Sequence, residues 1–219
     1  MIKLPTRREA AQSVGISLHA ALEEVEKAGG VAQTGLDGAL ALLASRWEGE
    51  GFATPEDEAE ARKKAEALLS AYLARYGEGV GKPVMIEKKL EAPYAGVPFL
   101  GIVDRVDRLP DGSLELIDYK SGRALITTAV KQQLAIYRYL VEATTGELPR
   151  AVAIHHLATG AKLPVELPAA EWRGLLDGAA EGARAIEAEE DFDPQTGRHC
   201  DWCDFKHRCP AYKREHNAT

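Results

Sequence analysis

The middle of the chain, from Lys82 to Gly122, constrains the fold more than any other segment. It contains three apolar runs, PVMIEKKLEA, VPFLGIVDRVDRL and SLELIDYKSG, separated by the turn sequences PYAG and LPDG. Short apolar runs between turn-forming residues are typical of β-strands, and a short turn folds one strand back on the next. This segment therefore predicts three strands in an antiparallel meander.

Helical patterns surround these strands. Capping residues, helix-starting prolines and helix-ending glycines set the expected boundaries before the meander. They predict a first helix from a Thr6–Glu9 capping box to Gly29-Gly30, a second from about Leu36 to Trp47, and a third from Thr54-Pro55, with Thr54 as cap, to Gly77. After the meander, the patterns predict a helix from about Thr127 to Ala143, a strand from Ala151 to Leu157 and a helix from Pro168 to Glu190.

The composition fits one globular domain, since 45% of the 219 residues are hydrophobic and 28% are charged. We expect a helical part (1–80), an α/β core (81–160), and a C-terminal helix with a cysteine-containing tail (161–219). No apolar run approaches the roughly 18 residues that span a bilayer, and the N-terminus lacks the apolar stretch of a secretory signal. A soluble, cytoplasmic protein is expected.

The formal charge of −7 argues against a bulk electrostatic grip on nucleic acid. Divalent cations bound in an acidic cleft would reverse the local field, so an acidic protein can still receive a phosphate. The total charge therefore does not exclude phosphate chemistry.

Two carboxylates and a lysine are predicted to converge at the end of the meander. Asp118 and Lys120 are two residues apart on a strand, so their side chains share one face. The LPDG turn can bring Asp104 of the preceding strand beside Asp118, whereas strand parity places Asp107 on the opposite face, in a salt bridge. Carboxylates are the ligands that Mg2+ prefers, and a lysine beside the metal can stabilise charge developing on phosphorus. Each residue taken singly is more often a solvated surface charge.

These residues resemble a known pattern. GIVDRVD, LELIDYKSG and QLAIY are similar to the G-x-x-D, D-x-K and Q-x-x-x-Y motifs of RecB-like nucleases in the PD-(D/E)XK superfamily, and GISLH resembles the histidine segment of the same branch. The resemblance implies an α/β fold with a mixed sheet of four or five strands, flanked by helices. It implies the following roles: His19, Asp104, Asp118 and the Tyr119 carbonyl as ligands of Mg2+ or Mn2+; Asp104, Asp118 and Lys120 as catalytic residues; Gln133 and Tyr137 as substrate or supporting residues; and Glu87 as a further or supporting ligand.

The function implied is that of a metal-dependent deoxyribonuclease, an exonuclease acting on single-stranded DNA ends in repair, recombination or processing. Its partners would be DNA and a helicase or other repair protein, because no G-x-x-x-x-G-K-[ST] motif for ATP-driven unwinding is present. Two alternatives stay open. One is a catalytically inactive nuclease fold that binds DNA in a helicase–nuclease complex, and the other is a small zinc-binding interaction protein.

The tail contains all three cysteines of the chain, Cys200, Cys203 and Cys209. Three thiols in so short a segment favour a metal site over a disulfide framework. Their C-x2-C-x5-C spacing resembles the C-terminal part of the iron–sulfur nucleases of the AddB and CRISPR-associated type, which implies a [4Fe–4S] cluster. Such clusters normally take four thiolates, and this chain has three. A cluster with a ligand from elsewhere, Zn2+ with His199 or His207, and unligated thiols all stay open.

Overall fold

The computed structural model describes residues 8–76, 81–122 and 126–216. Three helices come first, then a meander of three strands. A fourth helix, two further strands and the C-terminal helices follow. In chain order the elements are α1 (Ala10–Lys27), α2 (Val31–Ser45), α3 (Pro55–Tyr76), β1 (Lys82–Tyr94), β2 (Val97–Arg108), β3 (Leu114–Lys120), α4 (Thr128–Thr145), β4 (Ala151–His156), β5 (Ala161–Pro164), α5 (Ala169–Ala188), a 3-10 helix (Arg198–Trp202) and α6 (Pro210–His216).

The five strands form one mixed sheet in the order β1-β2-β3-β4-β5. The pairs β1–β2, β2–β3 and β4–β5 are antiparallel, and β3–β4 is parallel because α4 crosses over between them. The predicted meander and the α/β class with a mixed sheet flanked by helices are confirmed. The sequence patterns did not single out β5, which has only four residues.

The start of α1 differs from the prediction. Its N-cap is Glu9, which forms a capping box with Gln12, and the backbone N–H of Glu9 donates to Gln12 Oε1 at 3.1 Å. The other predicted member of the box, Thr6, lies outside the described residues. Glutamate and glutamine side chains satisfy the same free N–H groups as the expected threonine, so the helix begins one turn later.

The start of α3 and the start of the regular part of α2 agree with the predicted boundaries. Gly35 has a φ of 64° and interrupts α2, so regular helix resumes at Leu36 as predicted, after a first turn that the pattern did not show. Thr54 caps α3, because its Oγ1 accepts the N–H of Asp57 at 3.1 Å. The predicted stop at Gly77 lies outside the described residues.

The sheet has a hydrophobic core on each face. On one face the strands pack against α4 and α5, and this core includes Val106, Leu116, Leu134 and Trp172. On the other face β3 packs against α1, α2 and α3, and this core includes Leu22, Tyr72, Ile117 and Tyr119. We call these two sides the α4 face and the α1 face. The alternation of Leu116 and Ile117 between them is that of a β-strand buried on both sides.

The sheet opens between β2 and β3. Their pairing ends at Arg105 opposite Ile117, although β2 begins several residues earlier, at Val97. On the neighbouring strand β1, Glu87 has a φ of 42°, an uncommon conformation for a residue other than glycine. Such backbone geometry is often found at functional sites. Within the described residues, no helix is long and apolar enough to cross a membrane.

Candidate active site

A chain of polar contacts runs along the α4 face from β3 to α4. Lys120 Nζ lies 2.9 Å from Asp118 Oδ2 and donates to Asp118 Oδ1 at 3.2 Å and to Gln133 Oε1 at 3.1 Å. Gln133 Nε2 in turn donates to Tyr137 Oη at 2.9 Å. The period of two along β3 and the period of 3.6 along α4 place these pairs on facing surfaces. The amide of Gln133 therefore holds Lys120 beside Asp118.

A second group lies where the sheet opens. His19 Nδ1 is 3.2 Å from Glu87 Oε1 and 3.6 Å from Asp104 Oδ1. One ligand atom from each of these three residues lies within 4.8 Å of the others. The residues come from α1, β1 and β2, so only the packing of α1 across the sheet brings them together.

The backbone of Tyr119 connects the two groups. Its N–H donates to Asp104 Oδ2 at 2.7 Å, and its carbonyl lies 3.2 Å from His19 Nε2. Both contacts are on the side of β3 where pairing with β2 has ended. The carboxylate of Asp104 thus binds an N–H that a continuing ladder would have used.

The charges of the site are unbalanced. Burial, together with the nearby charge of Asp104, raises the pKa of Asp118 to about 6, although Lys120 opposes the rise. Burial alone would lower the pKa of His19, but its hydrogen bonds to Asp104 and Glu87 raise the pKa to about 10. Three carboxylates thus meet with fewer positive charges, so the site attracts protons, and a metal ion that binds His19 would displace its proton.

A divalent metal ion fits this set of side chains. Asp118 Oδ2 is buried, and among the described residues its one partner is the ammonium of Lys120, which lies 2.9 Å away without making a regular hydrogen bond to it. A buried carboxylate oxygen with an ion pair but no hydrogen bond keeps lone pairs that a cation can bind. Carboxylate oxygens with one imidazole are a donor set that suits Mg2+ and Mn2+. The residues that would hold the ion are His19, Glu87 and Asp104, with Asp118 adjoining them.

The structure arranges the predicted ligands differently from the expected set. Glu87, expected only as a further or supporting group, is in the three-residue group, whereas Asp118 is outside it and contacts Lys120. The carbonyl of Tyr119 contacts His19 Nε2, which is the imidazole nitrogen that faces away from the carboxylates. The direct metal roles of Asp118 and of this carbonyl stay predictions.

The parity argument for Asp107 agrees with the contacts. Asp107 Oδ1 accepts a hydrogen bond from Arg105 Nε at 2.6 Å, and Arg105 Nη1 lies 2.5 Å from Glu26 Oε1. These buried ion pairs lie on the α1 face. Asp107 is therefore in a salt bridge, as predicted, and is not in the three-residue group.

Sequence reasoning missed the role of two glycines. A Cβ atom at Gly101 would come within 2.7 Å of the Tyr137 ring, so this glycine lets α4 approach β2 closely. A Cβ at Gly15 would lie 3.3 Å from Ser121 Oγ, where α1 crosses the end of β3. Gly101 is the glycine of the G-x-x-D motif, and that motif could have indicated the close contact.

The cysteine tail lies near the start of α1, where Trp202 and Asp204 line a pocket together with Arg8 and Gln12. All three cysteines are free thiols of intermediate burial. Among the described residues, they do not form a group whose ligand atoms lie within 4.8 Å of one another, as a compact zinc site would require. With three thiols in the chain, the four-thiolate requirement of a [4Fe–4S] cluster is not met either. The cofactor role of Cys200, Cys203 and Cys209 stays a prediction.

Comparison with known proteins identifies the class. A family model described as the PD-(D/E)XK nuclease superfamily matches residues 2–210. The match spans nearly the whole chain, so the protein belongs to the PD-(D/E)XK nuclease superfamily.

Two solved structures are similar to the chain at low identity. The crystal structure of SSO0001 is 16% identical and has a TM-score of 0.41, covering 97% of this chain and 89% of that one. A protein from Eubacterium rectale named "Putative exonuclease" is 11% identical and also has a TM-score of 0.41, covering 90% of this chain and 97% of that one. No curated protein sequence matches the chain.

Proposed function

We propose that residues 1–219 act as one domain that hydrolyses phosphodiester bonds in DNA with Mg2+ or Mn2+. The observation that carries this proposal is the convergence of His19, Glu87 and Asp104 within 4.8 Å, next to the Asp118–Lys120 pair. Nuclease chemistry needs a cation site and a positive group beside it. Family membership supports the same reaction class.

The residues divide the work as follows. His19, Glu87 and Asp104 would hold the ion, and the buried oxygen of Asp118 would adjoin it. When bound, a divalent cation supplies Lewis-acid stabilisation of the negative charge on the phosphodiester. Lys120, held by Asp118 and Gln133, donates a hydrogen bond to a phosphate oxygen as that charge increases. Tyr137 fixes the amide of Gln133 so that its oxygen faces Lys120.

We further propose that the substrate is a single-stranded DNA end, processed in the cytoplasm during repair or recombination with a helicase or other repair protein as partner. The motif resemblance supports this finer assignment. The rival function is an inactive nuclease fold that only binds DNA. The complete Asp104, Asp118 and Lys120 set argues against the rival, because a decayed site would be expected to lose one of them.

The test is degradation of end-labelled single-stranded and duplex DNA with Mg2+, Mn2+ or EDTA. The wild type is compared with Asp118→Ala, Lys120→Ala and the control Lys162→Ala. Lys162 is a matched control because it also pairs with a carboxylate on β3, contacting Glu115 at 2.6 Å on the opposite end of the strand. Metal-dependent cleavage that Asp118→Ala and Lys120→Ala abolish and Lys162→Ala retains is the expected result.

Circular single-stranded DNA then separates the modes of cleavage. An exonuclease leaves the circle intact and shortens the linear strand, whereas an endonuclease opens the circle. Absence of cleavage with every metal, together with tight DNA binding, would reject the enzyme and favour the binding module.

The cysteine tail is tested separately, by its metal content. We propose that Cys200, Cys203 and Cys209 bind a metal that stabilises the tail against the start of α1. Iron, sulfide and zinc contents of the purified wild type and of Cys203→Ser distinguish a cluster, a zinc ion and free thiols. Equal and negligible contents in both proteins would reject a metal.

A further inference from the structure

The backbone of Tyr119 contacts two of the candidate metal ligands. In an extended strand the N–H and C=O of one residue point to the same side, and here both point to the opening between β2 and β3. The N–H holds Asp104 Oδ2 at 2.7 Å, and the carbonyl holds His19 Nε2 at 3.2 Å. With a proton on Nε2 donated to this carbonyl, the Nδ1 lone pair of a neutral His19 faces Glu87 and Asp104. The orientation of this residue therefore sets both ligands.

The side chain of Tyr119 is anchored on the opposite side, in the α1 face. Its hydroxyl lies 3.3 Å from the hydroxyl of Tyr72, and the two rings meet edge to face with centroids 5.5 Å apart. The guanidinium of Arg105 is also close enough to this hydroxyl to lower its pKa, opposing the rise that burial causes. Tyr72 Oη lies 3.0 Å from His155 Nδ1 on β4. The phenol ring is thus held by groups from α3 and two neighbouring strands.

The same anchor reaches helix α1. Arg105 Nη1 pairs with Glu26 Oε1 at 2.5 Å, and Glu26 follows His19 by seven residues, or two helical turns on one side of α1. The helix is consequently attached to the sheet at two points, through Glu26 to Arg105 and through His19 to Tyr119. We therefore expect a change at the buried anchor to alter how α1 presents His19.

We propose that Tyr119 is a positioning residue, whose side chain, anchored by Tyr72 and Arg105, fixes the backbone groups that orient Asp104 and His19 for metal binding. The inference rests on the proposed metal site. It assigns a task to hydroxyl groups that lie on the far side of the sheet from Lys120 and touch neither metal nor substrate.

The experiment measures Mn2+ affinity by calorimetry, without DNA, in the wild type, Tyr119→Phe, Tyr72→Phe and the double variant. Replacing a group that orients a metal ligand typically weakens metal binding by about 10-fold or more. We expect about that loss in Tyr119→Phe and a smaller one in Tyr72→Phe. The double variant should resemble Tyr119→Phe, because both changes remove one shared contact.

The matched control is Tyr94→Phe. Tyr94 also donates its hydroxyl proton to a partner, Asp177 Oδ1 at 2.6 Å, but the contact joins β1 to α5 outside the site. Thermal unfolding of each metal-free variant shows how much stability is lost. Weaker Mn2+ binding in Tyr119→Phe than in Tyr94→Phe at similar stability supports the inference. A tyrosine with a purely structural role would lower Mn2+ affinity only in proportion to the stability that its loss costs.

Unchanged Mn2+ affinity in folded Tyr119→Phe would overturn the inference, and so would an equal loss in all three tyrosine variants. A wild type that binds Mn2+ but leaves DNA intact would reject the proposed reaction while the binding comparison still decides the role of Tyr119. Absence of Mn2+ binding by the wild type would overturn both.

Discussion

The α4 face and the α1 face of the sheet differ in how the charges on strands β2 and β3 are satisfied. On the α4 face, Asp118 is buried with one oxygen lacking a hydrogen bond, and Lys120 is about a third exposed. On the α1 face, Arg105 is 6% exposed and contacts two carboxylates, Glu26 and Asp107. The charged residues of the neighbouring strands β2 and β3 thus serve opposite purposes. The α1 face, where a buried arginine holds two carboxylates, contributes rigidity, and the α4 face, where a buried carboxylate oxygen lacks a hydrogen bond, keeps a binding capacity that costs stability.

The largest expected effect is on activity, from loss of the cation on the α4 face. Lys120→Met removes the ammonium group but keeps the aliphatic length, and the removal of one such electrostatic donor typically lowers kcat by about 10²–10³-fold. Lys162→Met, which breaks the similar pair with Glu115, should leave the rate within about twofold. Initial rates on end-labelled DNA measure both. Equal losses in the two variants would show that Lys120 acts through stability alone.

The largest expected effect on stability is at the α1 face. Arg105→Met leaves Glu26 and Asp107 buried without their cation, and breaking a buried ion pair in this way typically costs about 3–5 kcal/mol. Urea denaturation of the metal-free proteins measures the change. As a control, Arg108→Met breaks an exposed pair with Glu147 and should cost less than about 1 kcal/mol. Similar costs for the two arginines would remove the distinction between the faces.

Asp118→Asn should increase the stability of the protein, whereas Arg105→Met should decrease it. Since burial raises the pKa of Asp118 from 3.8 to about 6, the unfolded chain releases this proton first, and the wild type loses stability as pH rises between these values. The neutral asparagine should therefore raise the free energy of unfolding by about 1–3 kcal/mol at pH 8 and by almost nothing at pH 3. Urea denaturation in EDTA at the two pH values tests this. A variant that is less stable than the wild type at pH 8 would contradict it.

Tyr137→Phe should have the smallest effect. The phenol accepts a hydrogen bond from Gln133 Nε2, and its loss frees the amide to rotate away from Lys120. We expect a decrease in kcat of about 10-fold or less, since the residue acts one contact away from the cation. Steady-state rates give the change, and Tyr139→Phe, on the same helix, serves as the control. A loss as large as that of Lys120→Met would instead place Tyr137 in direct contact with the substrate.

Much of the fold could be predicted because it depends on local signals. Turn sequences at 93–96 and 109–112 indicated the hairpins, and alternating apolar residues indicated the strands. The order of residues also indicated that Asp118 and Lys120 share a face and that Asp107 does not share it with Asp104. The short strand β5 and the capping box at Glu9 were missed, since four residues carry little pattern and Thr6 appeared to be the better cap.

The candidate site likewise has features that local sequence signals indicated and features that they did not. By itself the sequence determined the three-strand meander and the shared face of Asp118 and Lys120, since turns and strand period are local properties, and the motif resemblance named the candidates His19, Asp104, Gln133 and Tyr137. Only the tertiary structure decided that Glu87 joins His19 and Asp104 and that Tyr119 holds both of these ligands through its backbone. These contacts join residues 15 to 100 positions apart, and they depend on where helix α1 crosses an opening in the sheet, which no local pattern specifies.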